Sequence, residues 1–595
     1  MIKFEKDKDL SPLTTFHLPA KARLFAEYTS KEELLKISRT PEYLENEVMH
    51  IGGGSNLVMK GDFDGLILHS GIKGIISYDK DPETVYVIAG AGERWADLVD
   101  WCVDHSLEGM ENMAGIPGEV GASPVQNVGA YGREAKDVIH NVELFDSFTR
   151  ETVTKKASEC GFAYRDSHFK HEWKGRYYVL RVSFKLRRGI KARHLGYGSL
   201  KGLEERLGHQ PTIREVRDEV LAIRASKLPD PALVGSAGSY FKNPVIREGY
   251  LKAEVLRKCP ETPYYELGNG MVKIPAGWMI EHAGLKGHSV GGAYVYPENC
   301  LVIANRGGAT AADVLELQRQ IIKKVNHEYA IVLQPEANIV STEIDVTVLG
   351  SGTSKGVPEA GCDCDVCHST DPHDKRRRAS ILVETAGMNI LIDASPDLRQ
   401  QAIDIDLKRI DAVLITHSHY DHVGGIDDLR PYCLNSSVPL YVKEDVDVAL
   451  RKHLDYCFRE SLYPGVPKFD MKVIDEYPFY LEGIRVIPIK VNHGKLPIFG
   501  YRIGKFAYVT DAKTIPEEEL EKLEGLDVLI LNALRDEPHF AHLNFEEAME
   551  IIEKVKPKKV YFTHLCHHAG KHADLCKRFP DWIQPAFDGL RISIK

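Results

Sequence analysis

Short apolar runs separated by glycine-rich turns dominate the first half of the chain and predict β-strands, as in EVMHIGGGSNLVM and TVYVIAGAG. Two segments instead space their apolar residues as helices do, WADLVDWCVDHSL and TIREVRDEVLAIRASK. In the second, Thr212 is positioned to cap the helix, Glu215 follows three residues on, and Pro229 lies beyond its end. The first half is therefore predicted to be α+β.

The second half alternates strands such as MNILIDA, DAVLITH and KVYFTH with helical segments, which predicts a layered α/β domain. Near residues 340–345, VLQPEANIV is predicted to close one domain and IDVTVLGSG to open the next. A polar, glycine-punctuated stretch at 189–211 marks a second boundary. We expect domains at 1–190, 191–342 and 343–595.

A chain of 595 residues exceeds one hydrophobic core. Its net charge of −10 argues against a nucleic-acid-binding surface along the whole chain. The sequence has no apolar stretch approaching about 20 residues and no secretory signal at its start, so a cytoplasmic protein without a membrane partner is expected. The oligomeric state stays open.

Eleven cysteines are present, and the cluster Cys362, Cys364 and Cys367 favours metal binding over disulfides in a reducing compartment. The scattered cysteines, such as Cys102, Cys160 and Cys300, are expected to be buried apolar side chains.

Two glycine-rich loops are candidates for holding a cofactor. Successive backbone N–H groups of GGGSN can cradle a pyrophosphate, although alone this motif also fits an ordinary turn. The loop GIPGEVGASPVQNVGAYG at 115–132 is too long for an ordinary turn and is more specific. The candidate cofactor-binding residues are Gly52, Gly53, Gly54, Ser55, Asn56, Gly115, Pro117, Gly118, Gly121, Ala122, Ser123, Gln126, Asn127, Gly129, Ala130 and Tyr131.

Residues of about 10–340 resemble the UDP-N-acetylenolpyruvoylglucosamine reductases. The resemblance rests on these two loops together with the segments LTTFHLPAKARLF, YRDSHFK, SKLPDP, GSYFKNP, PAGWMIEHAGLKG and LQPEAN. The resemblance implies a flavin-binding domain of the vanillyl-alcohol-oxidase type and a smaller α+β substrate domain. It also implies FAD, NADPH as the reductant, and reduction of the enolpyruvyl sugar to UDP-N-acetylmuramate for peptidoglycan.

The same resemblance implies roles for single residues. Arg165 would bind the substrate carboxylate, a protonated Glu336 would stabilise the enolate, and Ser239 would donate a proton to carbon. Ser239 would need help from Lys242, Asn243 or a water. Taken singly, these residues also fit a surface ion pair, a solvated strand end and a helix cap. The remaining substrate candidates are Tyr197, Lys227 and Asn243. One departure from the family pattern is Ala337-Asn338 after Glu336, which puts local contacts in doubt.

The motif THSHYDH at 416–422 follows an apolar strand and carries ligands suited to borderline divalent metals. A polar loop that happens to be rich in histidine is the alternative. Further ligand candidates also follow strands, namely His493, Asp511 and His564. Residues of about 344–595 thus resemble the metallo-β-lactamase superfamily, which has an αββα fold. By that resemblance His417, His419 and His493 hold one metal (Zn or Mn). Asp421, His422 and His564 hold the other, and Asp511 bridges.

The cysteine cluster in GSGTSKGVPEAGCDCDVC resembles that of the cyclic phosphodiesterases of phosphonate breakdown, which carry a structural zinc there. The resemblance makes His567 the fourth ligand, with His568 and His368 as alternatives. His542 matches a position for a general acid, although a surface histidine fits nearly as well.

The sequence therefore predicts a reductase followed by a two-metal hydrolase, with a phosphodiester as its substrate class. Two rival hypotheses remain. The first half could be a flavin oxidase of another small alcohol, and the second a non-catalytic zinc-stabilised docking module.

Overall fold

The computed structural model describes residues 2–433, 437–459, 465–482 and 484–594. It divides into two units, Met1–Ser341 and Thr342–Lys595. Within the described ranges, no helix combines the length and apolar character that a membrane crossing requires.

The first sheet of the N-terminal unit carries the GGGSN turn. The strands Lys21–Tyr28 and Val48–Ile51 both run parallel to Phe63–Ser70, and Glu5–Asp9 adds an antiparallel edge. Lys21–Tyr28 buries alternate residues along most of its length, as expected for a strand with one face on a core. The short strand Leu57–Met59 pairs with Asn338–Val340, so the predicted closing strand forms only at its last residues.

The second sheet of this unit is antiparallel, and the helix Trp95–Asp104 packs in its core. That helix buries Trp95, Leu98, Val99, Cys102 and Val103, whose spacing confirms the predicted helix. The sheet strands are Glu151–Lys156, Ile139–Asp146, Tyr177–Arg188, Thr84–Gly90 and Ile75–Asp79, with Leu107–Glu108 beside Tyr177–Arg188.

The helix predicted for TIREVRDEVLAIRASK, residues 212–227, is confirmed as Ile213–Lys227, with Thr212 and Glu215 forming the reciprocal cap. Further along, Ala311–Tyr329 buries Val314, Leu317 and Ile321 against small antiparallel sheets. The strands of these sheets are Gly235–Ser239, Val302–Asn305, Ala293–Val295 and Ser289–Val290, and Val245–Arg247, Met271–Lys273 and Tyr265–Gly268. The shorter helices of the unit are Lys31–Ile37, Pro41–Leu44, Ser123–Gln126, Leu203–Leu207, Glu248–Tyr250, Leu256–Lys258 and Ala276–Ile280.

Among its described residues, the C-terminal unit contains two seven-stranded sheets that share one apolar core. The first consists of Phe469–Val473, Val438–Val442, Ala412–Leu414, Met388–Ile392, Ser380–Thr385, Ile344–Gly350 and Arg591–Ile594. The second consists of Phe479–Leu481, Ile484–His493, Leu496–Ile503, Phe506–Val509, Val528–Asn532, Lys559–Thr563 and Ile583–Pro585.

Separate apolar clusters join helices to the outer faces of these sheets. The helices are Leu398–Asp404, Tyr420–Val423, Glu444–His453, Glu517–Leu520, Phe545–Val555 and His572–Arg578. The result is an αββα arrangement in which several strands end at one shared edge.

Candidate functional sites

The GGGSN turn and the 115–132 loop lie against each other, and glycine permits the contact. A Cβ at Gly53 would lie 3.2 Å from the Cα of Gly118. Gly54 has a φ of +59°, and a Cβ there would lie 2.0 Å from the carbonyl oxygen of Leu13. A side chain at Gly53 would force the two loops apart, and one at Gly54 would collide with the backbone at Leu13.

Polar contacts complete the junction. The hydroxyl of Ser55 donates to the carbonyl of Pro117 at 3.2 Å, and the amide of Asn56 donates to the carbonyl of Glu336 at 3.0 Å. Gly52, Gly53 and Ser55 remain partly exposed. A partly open cradle of backbone N–H groups with little side-chain bulk fits a dinucleotide cofactor. The remaining loop candidates that are partly exposed are Gly115, Gly121, Ala122, Gln126, Gly129, Ala130 and Tyr131, while Pro117 is exposed and Ser123 is buried.

Asn127 is fully buried, and its amide groups are engaged by the protein. Its Nδ2 donates to Glu134 at 3.0 Å and to the carbonyl of Ala163 at 2.8 Å, and its Oδ1 accepts from the backbone of Lys136 at 3.0 Å. The side chain therefore holds the loop in shape and has no free group for a cofactor.

Arg165 and Glu336 meet next to these loops. Arg165 Nε lies 3.2 Å from Glu336 Oε1, and Arg165 Nη2 donates to the carbonyl of Gly129 at 2.5 Å. Burial raises the pKa of Glu336, against the opposing charges of Arg165, Lys170 and Lys242. A carboxyl whose proton is retained in a cationic surrounding can donate a hydrogen bond to a developing oxyanion.

Ser239 is brought to the same place by backbone pairing. It ends the strand Gly235–Ser239, and the next residue, Tyr240, accepts a hydrogen bond from the backbone N–H of Glu336 at 2.7 Å. Asn243 holds the neighbouring segment at Ala276 in place, since its Oδ1 accepts a hydrogen bond from the backbone N–H of Ala276 at 2.9 Å. Ser239 itself is partly exposed and therefore open to a ligand.

The two other substrate candidates differ in position. The ring of Tyr197 is 52% exposed and meets Tyr131 edge to face, with centroids 6.4 Å apart. Lys227 is exposed at the last residue of its helix, and no contact among the described residues joins it to Arg165 or Glu336. The structure thus brings Tyr197, but not Lys227, to the loops.

In the C-terminal unit, the predicted ligands converge where strands end. His493 ends Ile484–His493, Asp511 follows Phe506–Val509, and His564 follows Lys559–Thr563. The helix Tyr420–Val423 presents Asp421 and His422 from the loop after Ala412–Leu414. Parallel strands place such residues at one edge of their sheets.

The ligand atoms form two adjacent groups, each with all members within 4.8 Å of one another. One group is His417, His419 and His493, and the other is Asp421, His422, Asp511 and His564. Asp511 faces both, because its Oδ2 lies 3.9 Å from His417 Nε2 and its Oδ1 lies 3.3 Å from His422 Nε2. These are the residues that the sequence assigned to a two-metal centre.

Groups behind the ligands orient their rings. His422 Nδ1 lies 2.6 Å from Asp393 Oδ2, and His493 Nδ1 lies 2.9 Å from the carbonyl of Ala541. Thr416 donates to Asp393 and lies 3.0 Å from His417 Nδ1. Each Nδ1 is thereby occupied, which leaves Nε2 for a metal.

The sequence interpretation missed Asp393. It is fully buried and directly follows the apolar strand Met388–Ile392. A carboxylate at the end of a buried strand needs a partner, and this signal could have identified it.

The charges and the unpaired ring nitrogens of this centre suit the binding of cations. The buried ring nitrogens His417 Nε2, His422 Nε2 and His564 Nε2 have no hydrogen-bond partner among the described residues. Burial lowers the pKa of His417, which keeps its ring neutral. Burial also opposes charge on His422, but Asp511, Asp393 and Asp421 outweigh it and raise its pKa. The three carboxylates thus leave excess negative charge beside the ring nitrogens, which a divalent metal would neutralise in place of the proton on His422.

His542 is buried beside this centre, so the alternative of a surface histidine is wrong. Its ring centroid lies 4.6 Å from that of His493 and 4.7 Å from that of His564. Its Nδ1 lies 3.8 Å from Asp511 Oδ2, close enough for the ring to act on a bound substrate or on a metal.

The three clustered cysteines and His567 form a separate group. His567 Nδ1 lies 3.1 Å from Cys362 Sγ and 3.5 Å from the Sγ atoms of Cys364 and Cys367. Glu359 lies 3.2 Å from the other ring nitrogen, His567 Nε2, and its backbone donates to Cys367 Sγ. Three thiolates, an imidazole and a carboxylate behind it fit a tetrahedral zinc.

The alternative fourth ligands His368 and His568 are both exposed and outside this group. The scattered Cys102, Cys160 and Cys300 are buried, as expected.

Three protein families match successive parts of the chain. The family described as FAD binding domain matches residues 22–150, and that described as UDP-N-acetylenolpyruvoylglucosamine reductase, C-terminal domain, matches 230–340. The family described as beta-lactamase superfamily domain matches 388–565. The UDP-N-acetylenolpyruvoylglucosamine reductase of Neisseria gonorrhoeae is 44% identical over 340 residues, which are 57% of this chain and 98% of that protein.

The chain belongs to the UDP-N-acetylenolpyruvoylglucosamine reductase family. Its predicted layout is confirmed: a FAD-binding domain, a reductase C-terminal domain and a metallo-β-lactamase-fold domain. It is accordingly an oxidoreductase and flavoprotein of peptidoglycan synthesis joined to a metal-binding domain of hydrolase type.

Two solved structures resemble separate parts of the chain. The reductase of Thermus caldophilus is 25% identical, with a TM-score of 0.40, over 57% of this chain and 98% of that one. A structure described as a new diphosphatase from the PhnP family is 41% identical, with a TM-score of 0.40, over 42% of this chain and 98% of that one.

Proposed function

We propose that the N-terminal unit reduces UDP-N-acetylenolpyruvoylglucosamine to UDP-N-acetylmuramate with NADPH as the electron source. The contact that carries this proposal is the one between Arg165 Nε and Glu336 Oε1. Arg165 also donates to the carbonyl of Gly129, which ties this contact to the cofactor loop. When bound, FAD would supply hydride transfer between the nicotinamide and the enolpyruvyl carbon.

The chain's own groups would manage charge and protons. The guanidinium of Arg165 can bind the substrate carboxylate with paired hydrogen bonds. Glu336 would donate a hydrogen bond to the enolate oxygen, and its burial supports a retained proton. Ser239, one residue from the backbone partner of Glu336, would protonate carbon.

Separate half-reactions test this assignment. The substitution Ser239→Ala should leave the reduction of flavin by NADPH intact and slow its reoxidation by the enolpyruvyl substrate roughly 10²- to 10⁴-fold. Ser226→Ala, on an exposed helical face, is the control. Equal loss of both half-reactions would contradict the proton-donor role, and a purified protein that cannot be loaded with FAD would refute the reductase proposal.

We propose that the C-terminal unit hydrolyses a phosphodiester. Its support is the pair of adjacent ligand groups joined by Asp511, since two close cations suit the charge of an in-line phosphoryl displacement. Two divalent ions would supply Lewis acidity to water and to the phosphoryl oxygens. His542 would protonate the leaving oxygen, and Cys362, Cys364, Cys367 and His567 would hold a structural zinc.

Metal analysis and hydrolysis together test the second proposal. His419→Ala should abolish hydrolysis of bis-p-nitrophenyl phosphate without changing NADPH turnover, whereas the exposed His453→Ala should change neither. His542→Ala should lower kcat roughly 10²- to 10⁴-fold with metal content unchanged. Loss of metal in His542→Ala would make this residue a ligand instead. A protein that binds zinc at the cysteines alone would be a docking module.

A further inference from the structure

The ring of His69 lies between two carboxylates beside the cofactor loops. Its Nδ1 lies 2.8 Å from Glu27 Oε2, and its Nε2 lies 3.0 Å from Glu119 Oε1. The side chains of His69 and Glu119 are 18% and 13% exposed, whereas that of Glu27 is 52% exposed. Because both ring nitrogens face acceptors that cannot donate, the ring carries two hydrogens and a positive charge.

The neighbouring groups agree with a charged ring. Burial opposes the charge, but hydrogen bonds and attraction from Glu119 and Glu27 outweigh it and raise the pKa of His69. Two other titratable groups lie close by among the described residues, and both stay neutral: burial lowers the pKa of His50 to about 3, and burial raises the pKa of Tyr28.

Glu119 places a carboxylate close to both candidate cofactor loops, because it belongs to the 115–132 loop and its side chain lies over the GGGSN turn. Its Oε2 would lie 3.5 Å from a Cβ at Gly52, and its Cγ would lie 3.4 Å from one at Gly53. A free carboxylate beside the backbone N–H groups proposed to bind the cofactor phosphates would repel those phosphates. His69 balances this charge and ties the loop to the strand Phe63–Ser70.

We propose that His69 is a positioning residue for FAD. It neutralises Glu119 and holds the 115–132 loop against the GGGSN turn, so that the phosphates of the cofactor meet N–H groups and not an uncompensated carboxylate. The inference rests on the proposed FAD-dependent reductase and assigns His69 no contact with the substrate.

A double-mutant cycle that removes the charges of His69 and Glu119 in the full chain tests the proposal. Deflavinated protein is titrated with FAD, and Kd is read from flavin fluorescence at low and high salt. His69→Gln should weaken binding roughly tenfold, the size of one lost charged hydrogen bond, and less at high salt. The double variant His69→Gln with Glu119→Gln should recover most of the affinity, because neither charge remains. His209→Gln, which breaks an exposed His–Glu pair of 3.3 Å, is the control.

The outcomes separate the two proposals. Wild-type protein that binds no FAD overturns the reductase proposal and this inference with it. Wild-type protein that binds FAD, with an unchanged Kd in His69→Gln, overturns the inference alone. A double variant as weak as His69→Gln also overturns it, because ring packing and not charge would then explain the loss. Thermal melting and circular dichroism of each variant verify the fold.

Discussion

Replacing Asp393 by asparagine tests how the two-metal centre is oriented. Asp393 Oδ1 accepts from the backbone of Thr416 at 2.8 Å, and Oδ2 lies 2.6 Å from His422 Nδ1. The asparagine of Asp393→Asn can retain the first bond through its amide oxygen but then presents an NH₂ donor to the ring. His422 must either move its hydrogen to Nε2, which removes the lone pair available to the metal, or break the contact, which leaves the ring without the partner that orients it.

The expected cost follows from comparable partners behind metal ligands, whose removal weakens metal binding about 10- to 100-fold, or roughly 1.4–2.7 kcal/mol. We expect the loss at the group of Asp421, His422, Asp511 and His564. The ion at His417, His419 and His493 and the zinc at the cysteines should remain.

Metal content per chain is measured by mass spectrometry after dialysis at buffered free zinc. Asp404→Asn, an exposed carboxylate paired with Arg377, is the control. If Asp393→Asn binds metal at all sites as tightly as the wild-type protein does, the reasoning about the orientation of the His422 ring is refuted. Simultaneous loss of the cysteine-site zinc would refute it too, since the fold and not one ligand would then be affected.

Three other predictions follow from the geometry. Gly54→Ala should destabilise the N-terminal unit by about 1–3 kcal/mol and lower its FAD content, because the new Cβ collides with the carbonyl of Leu13. Gly52→Ala is the control and should melt like wild type, because the atom nearest to its new Cβ, Glu119 Oε2, is 3.5 Å away. The protonated form of Glu336, favoured by its raised pKa, is lost as pH rises through that pKa. Reduction of the enolpyruvyl substrate should therefore fall on the alkaline side, and Glu336→Gln should flatten that limb in stopped-flow measurements; an unchanged profile would contradict the role. Cys364→Ala should remove one zinc per chain and lower the Tm of the C-terminal unit, whereas a variant with full zinc content would exclude this cysteine as a ligand.

Local chemistry made much of this protein predictable from its sequence. The helix at 213–227 follows from its capping residues and apolar spacing, and the candidate metal ligands follow from histidines and carboxylates at the ends of apolar strands. Both signals lie within a few neighbouring residues. The motif order along the chain was equally sufficient to indicate the two enzyme classes.

Only the tertiary structure decided contacts between distant segments. It placed His567, and not His368 or His568, beside the three cysteines, buried His542, set Asp393 behind His422, and left Lys227 apart from Arg165. It also joined His69 to Glu119 across 50 residues. Such pairings depend on which strand ends meet at a sheet edge and how loops pack there, and local spacing carries no information about either.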